Sequence, residues 1–280
     1  GYLDLPVPSQ DKLIGEILKL KIKKKAVILA HYYQNEKIQE LSDYLGDSLY
    51  LAQIAKKIKS PIIVFAGVHF MAETAKIINP EKKVLLPDLK AGCSLADSCP
   101  PGEFKKFIKK TKNSIVVSYI NCSAEIKSLS DIVCTSSNAE KIINSIPKKK
   151  NIIFAPDRNL GQYLIKKTGR KMILWDGSCI VHEAFSFEKI ISLFKIHPNS
   201  KFIAHPESQS HILDIANFIG STSALLNFVE RDDSESYIVA TEAGILHEMK
   251  KKCPEKKFIA APVENSSCSC LLYTSDAADE

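Results

Sequence analysis

Three times along the chain an apolar run ends in two polar residues spaced i, i+2. The runs occupy residues 26–33, 115–121 and 202–207, and they end in His31/Tyr33, Tyr119/Asn121 and His205/Glu207. A hydroxyl follows 17 residues after the first member of each pair: Ser48, Ser136 and Thr222. Successive copies are offset by 88 and then 86 residues, and Cys93 and Cys179, again 86 apart, close the first two. Solenoid repeats run to about 20–50 residues, so this longer period describes three related domains rather than a stack. Equivalent strand ends from three such domains can converge on one point.

Composition narrows the class. The chain has 280 residues, is 45% hydrophobic and carries a net charge of +6. No apolar stretch approaches the roughly 18 residues that span a bilayer, and the opening residues lack a signal-peptide pattern. A soluble, cytoplasmic protein is the expectation, and a start at Gly1 suits a fragment or a processed chain. Only Arg158, Arg170 and Arg231 contribute arginine to the basic total. Nucleic-acid surfaces favour Arg for bidentate contacts, so the lysines read as a solvated surface, with neither nucleic acid nor membrane as partner. Eight cysteines without a secretory signal point to thiolate chemistry in a reducing compartment rather than to a disulfide framework.

Short runs rich in Ile and Val suit parallel strands buried on both faces. Strands are predicted over 26–30, 62–66 and 83–86, over 115–118, 151–155 and 172–175, and over 202–204, 237–240 and 258–261. Helices are predicted between them, among them 36–45, 48–57, 124–132 and 211–218. Such alternation implies right-handed crossovers. The expected class is α/β: three pseudo-equivalent three-layer αβα domains with short parallel sheets around a central site. Their expected limits are 1–94, 95–182 and 183–269. Residues 270–280 read as a non-native tail, matching one translated frame of a transposon sequencing adapter.

Ligands of such sheets gather beyond the carboxyl ends of the strands, where the three polar pairs fall. The hydroxyls Ser48, Ser136 and Thr222 sit at helix starts; each alone reads as an N-cap, but three in one phase suit anion binding. Cys93, Cys179 and, at nearly the same phase, Cys268 can supply thiolates to an iron–sulfur cluster. Three thiolates leave one iron open as a Lewis acid. The competing reading, buried thiols packed as small hydrophobes, is adopted for Cys122, Cys134 and Cys253 and left open for Cys99. Glu207, His205 and Tyr33 are candidates for general acid–base work. His69, His182, His197, His211 and His247 lack the repeat phase and read as structural or exposed, although His182 lies close enough to Cys179 to line the site.

Several segments resemble the quinolinate synthase family in order along the chain from about Lys12 to Cys268. They are His31-Tyr-Tyr33-Gln, Gly46-Asp-Ser48, the segment from Ile62 through Gly67 and Glu73 to Lys76, Tyr119-Ile-Asn121, Thr135-Ser136-Ser137-Asn138, Gly177-Ser-Cys179-Ile-Val-His182 and His205-Pro-Glu207. The resemblance implies condensation of iminoaspartate with dihydroxyacetone phosphate to quinolinate, phosphate and water in NAD biosynthesis. It implies a [4Fe–4S] cluster on three cysteines, with Cys93 and Cys179 as ligands. It makes His31, Ser48, Tyr119, Asn121, Ser136, His205, Glu207 and Thr222 substrate contacts. An L-aspartate oxidase or an aspartate dehydrogenase is the implied supplier of iminoaspartate. One departure stands out: where related chains end in Cys-x-Cys-x-x-Cys and use the last cysteine as ligand, that place here holds Tyr273, so the third ligand is either Cys268, by repeat phase, or a cysteine that this sequence does not include. Two other readings stay open: a non-catalytic binding protein for a phosphorylated or dicarboxylate metabolite, and a different iron–sulfur hydro-lyase.

Overall fold

The computed structural model describes residues 9–264. Its strands are β1 (Ala26–His31), β2 (Tyr44–Gly46), β3 (Ile62–Ala66), β4 (Lys83–Leu85), β5 (Ser114–Tyr119), β6 (Ile132–Cys134), β7 (Asn151–Ala155), β8 (Ile173–Leu174), β9 (Lys201–Ala204), β10 (Phe218–Ile219), β11 (Ser236–Ala240) and β12 (Lys257–Ala260). They form three four-stranded sheets of one order: β2-β1-β3-β4, β6-β5-β7-β8 and β10-β9-β11-β12. Every pairing is parallel, and a helix precedes each strand. The same helix–strand alternation is therefore written three times.

Burial explains the central strands. Val27–Ala30 of β1, Ile152–Ala155 of β7 and Tyr237–Ala240 of β11 are buried, as parallel strands covered by helices on both faces require. In this strand order the connections leave the first strand of each unit in opposite directions. The switch point thus lies between β1 and β3, β5 and β7, and β9 and β11, where a crevice opens at the carboxyl ends. The register aligns Ala30 with Ala66, Ser118 with Ala155 and Ala204 with Ala240, bringing the strand-end residues of each pair to one lip.

One element recurs that the pattern of apolar runs did not predict. The edge strands β2, β6 and β10 occupy the ends of segments expected to be helical, since the helices there stop at Leu41, Ser128 and Leu213. The cause is a repeated lock. Asp43 accepts from the Ile28 amide (2.8 Å), Asp131 from Val116 (2.8 Å) and Asn217 from Phe202 (2.7 Å). The amides of the same three residues donate to the carbonyls of Ile28, Val116 and Phe202. Each lock pulls the chain out of its helix and onto the sheet edge.

A hydrophobic cluster runs through the first two sheets, joining Leu29, Ile63 and Leu95 to Val117, Ile143 and Phe154. The third sheet packs on its own clusters, around Ile203, Leu225 and Tyr237 on one face and Phe202, Ile212 and Ile238 on the other. No helix among the described residues is long and apolar enough to cross a membrane.

Candidate active site

The carboxyl ends of the three sheets face one cavity of about 550 Å³. His31, Tyr33, Ser48, Cys93, Tyr119, Asn121, Ser136, Cys179, His205, Glu207 and Thr222 all line it. Of the residues singled out in the sequence, Cys268 lies outside the described residues. Neither Lys nor Arg is among the described residues that line the cavity.

Local folding aims the polar pairs. The Tyr33 amide donates to His31 Nδ1 at 3.2 Å, and the Glu207 amide does the same to His205 Nδ1 at 3.4 Å. An imidazole accepting at Nδ1 carries its proton at Nε2 when neutral. Both rings are almost fully buried, and burial lowers each pKa to about 4, outweighing the nearby carboxylates of Asp47 and Glu207. His31 and His205 are thus neutral donors. His205 Nε2 lies 3.3 Å from the Ser136 hydroxyl of the second unit.

Glu207 is the electrostatic centre. Burial alone raises a carboxyl pKa, but His182 and the Tyr119 hydroxyl against the carboxylate outweigh it and hold Glu207 ionised, below the ordinary carboxylate value. Tyr119 donates to Oε1 at 2.5 Å, and His182 Nδ1 lies 3.2 Å from Oε2. Beyond His182 the contacts continue: Nε2 is 3.4 Å from Thr241 Oγ1, which is 2.8 Å from the Tyr33 hydroxyl, itself 2.7 Å from Thr222 Oγ1. One chain of polar atoms therefore joins Tyr119, Glu207, His182, Thr241, Tyr33 and Thr222. Burial raises the pKa of both tyrosines well above the ordinary value, so both hydroxyls keep their protons.

The helix starts meet as well. Asp47 caps the helix Ser48–Lys57 through the Tyr50 amide (2.9 Å), and its other oxygen accepts the Ser223 hydroxyl at 2.6 Å. The Ser137 hydroxyl lies 2.9 Å from Ser221 Oγ and 3.4 Å from Asp47 Oδ2. Ser221 in turn caps the helix Thr222–Arg231 through the Ala224 amide. Capping and convergence are thus one arrangement. Ser48 and Thr222 are the first residues of their helices, whereas Ser136 lies in the turn before the helix Ala139–Ser145.

Cys93 and Cys179 each precede a one-turn helix, Ser94–Asp97 and Ile180–Glu183, and the Ile180 amide donates to Ser94 Oγ across the two loops. Burial pushes the Cys179 thiol well above its ordinary pKa, and the charges of Glu207 and Cys93 add to this. Two soft sulfur donors from separate units on one cavity fit a thiolate-held iron centre in their chemistry. Ligand atoms of Cys179, His182 and Glu207 also lie within 4.8 Å of one another, a set that could hold a metal ion.

Thr241 and Glu242 escaped the sequence reading, and His182 is marked there only by its closeness to Cys179. His182 lacks the repeat phase, because it reaches the cavity from the loop after β8 rather than from a strand end. Thr241 and Glu242 follow β11 on the second lip of the crevice. Of their counterparts Gly67/Val68 and Pro156/Asp157, only Asp157 shares a carboxyl with Glu242, and it caps a helix, so no residue type repeats through all three units to mark the position. The strand order alone would have pointed there.

Comparison with known proteins agrees with this geometry. A family described as "Quinolinate synthetase A protein" matches residues 15–277. The chain is 60% identical over 258 residues to a quinolinate synthase of Gloeothece citriformis, covering 92% of this chain and 80% of that one. It is 60% identical over 260 residues to one of Microcystis aeruginosa (93% and 81%). A third, of Chloroherpeton thalassium, is 58% identical over 262 residues (94% and 81%).

Proposed function

The chain belongs to the quinolinate synthetase A family, and we propose that its central cavity condenses iminoaspartate with dihydroxyacetone phosphate to form quinolinate for NAD biosynthesis. The observation that carries this reading is the convergence on one cavity of strand ends and hydroxyls from all three units and of thiols from the first two.

In this reading the neutral Nε2–H groups of His31 and His205, the hydroxyls of Ser48, Ser136 and Thr222 and the side chain of Asn121 bind the carboxylates and the phosphate. The helix starts at Ser48 and Thr222 add their dipoles. Asn121 Oδ1 is buried without a hydrogen-bond partner among the described residues, leaving it free for a substrate donor. Glu207, ionised and flanked by Tyr119 and His182, takes a proton from a substrate carbon during enolisation and dehydration. A proton held on Glu207 has a route through His182 and Thr241 to Tyr33, which protonates the leaving hydroxyl. His205 assists by donating to an oxygen that gains charge.

Cys93, Cys179 and Cys268 would hold a [4Fe–4S] cluster, whose open iron supplies Lewis-acid polarisation of substrate oxygens when bound. A cytoplasmic setting, with iminoaspartate delivered by an aspartate-oxidising enzyme, suits cysteines such as Cys93 and Cys179 that form no disulfide. The test is direct. Reconstituted anaerobic protein given dihydroxyacetone phosphate and freshly made iminoaspartate yields quinolinate, detected by chromatography; no product from cluster-loaded protein rejects the assignment.

A further inference from the structure

The Glu242 carboxyl stands apart from the other acids of the cavity. It follows β11, on the lip of the crevice opposite His205 and Glu207, and is only 8% exposed. Its Oε2 is buried with no hydrogen-bond partner, and the carboxyl takes part in no hydrogen bond or ion pair among the described residues. The other acids lining the cavity are engaged: Glu207 by Tyr119 and His182, Asp47 by Ser223 and the Tyr50 amide, Asp88 by the Lys90 amide. Helix capping does not account for Glu242. Asp157, its counterpart after β7, caps the helix Arg158–Thr168 through the Leu160 amide, whereas the helix Ile245–Lys252 has no side-chain cap.

A buried carboxyl without protein partners is costly unless a ligand completes it. The ligand expected here carries carboxylates, and no lysine or arginine among the described residues lines the cavity to meet them. A second ionised acid beside Glu207 would repel such a ligand, whereas a neutral acid would donate to it. The surroundings favour the neutral form. Burial raises the Glu242 pKa to about 7; His182 pulls it back and the charge on Glu207 pushes it up. Tyr33, the other titratable side chain that the charge of Glu242 reaches, keeps its proton.

We propose that Glu242 is a substrate-contacting residue that meets the dicarboxylate substrate as a neutral acid and donates its proton to a carboxylate oxygen. Where Glu242 is ionised beforehand, binding takes that proton up from solvent; no covalent bond to carbon changes. The inference rests on the synthase reading, since that reading supplies a dicarboxylate.

Maleate, a dicarboxylate without the reactive nitrogen, is the probe. Reconstituted protein is titrated calorimetrically at pH 8.5 in two buffers of different ionisation enthalpy, and dissociation constants are followed from pH 6.5 to 9. Wild type takes up close to one proton per maleate at pH 8.5, and its affinity weakens towards about tenfold per pH unit above neutrality. Glu242→Gln, which keeps a donor of the same shape, binds within about threefold of wild type at pH 6.5 but shows no uptake and a flat profile. Glu242→Ala, checked for folding by circular dichroism, weakens binding at least tenfold at pH 6.5. Unchanged uptake in Glu242→Gln, no uptake in wild type at pH 8.5, or no maleate binding by protein that makes quinolinate each overturns the proposal. If Glu242-dependent uptake is found in protein that makes no quinolinate, the synthase reading fails and this contact stands.

Discussion

Glu207 shows what a single side chain needs in order to act as a base inside protein. Burial would neutralise a lone carboxyl; the Tyr119 hydroxyl and the His182 ring against this one keep it charged and pointed. Glu207→Gln preserves the shape and the hydrogen bond from Tyr119 but removes the base. Its kcat is expected to fall by about 10²–10⁴, with KM changed by less than about threefold, in steady-state quinolinate assays. A loss carried by KM would instead make Glu207 a binding group. Asp232 illustrates the same electrostatics at the surface. Despite a penalty from burial, hydrogen bonds from Lys201 (2.5 Å), Tyr237 (2.8 Å) and the Ser234 amide lower its pKa. A pKa lower in the folded than in the unfolded state stabilises above the unfolded value of about 3.9 and is lost as pH falls through the folded one. Asp232→Asn is therefore expected to cost about 1 kcal/mol at pH 7. In urea melts the difference shrinks as pH approaches 3; a gap that persists there would show that charge is not its source.

At the scale of elements, the informative feature is the lock on each edge strand. Asp131 accepts from the Val116 amide and returns its own amide to the Val116 carbonyl, so one residue holds β6 onto β5. Asp131→Ala leaves the part-buried Val116 amide unpaired and is expected to cost about 1–3 kcal/mol. Hydrogen exchange should then quicken in β6 and at Val116 before it does in β7; uniform quickening would mean that the lock is not local. This lock also marks where sequence reading ran out. The central strands were legible because continuous burial writes continuous apolar runs, as in Ile62–Ala66 and Asn151–Ala155. The edge strands have two or three residues, too few to carry a period, and their turns look like helix continuation. Asp43, Asp131 and Asn217 nevertheless recur at the offsets of the strand-end pairs, a cue available in the sequence. The cavity was legible for a related reason: His31, Tyr119 and His205 had to repeat because equivalent strand ends meet. His182 and Thr241 have chemistry that only one unit carries, and the carboxyl of Glu242 is matched only by the helix cap Asp157, so repetition could not reveal them.

At the scale of the whole molecule, the three units are alike in topology but unlike in how they are held. The first two share a continuous apolar cluster, whereas the third packs largely on itself, apart from contacts such as those of Tyr32 and Tyr33. What ties the third unit to the others at the cavity floor is polar: Ser223 on Asp47, Ser137 on Ser221, and the Tyr33 hydroxyl between Thr222 and Thr241. Polar contacts of this kind contribute about 1 kcal/mol each, far less than a shared core, so the third unit is the separable one. Asp47→Ala removes the acceptor of Ser223 together with the cap of its own helix, and Ser223→Ala removes the donor alone. Because the two side chains form one contact, their stability losses are expected not to add, with a coupling of about 0.5–3 kcal/mol in a double-mutant cycle. Hydrogen exchange locates the effect: Ser223→Ala should lower protection across β9 to β12 while leaving β1, β3, β5 and β7 near wild type. It should also reduce kcat/KM, because Glu207 and Thr222 belong to the unit that loosens and the cavity needs all three lips in register. If β1 and β5 lose protection as much as β9 and β11, the three units unfold as one body and the apolar clusters are not what sets the order of their release.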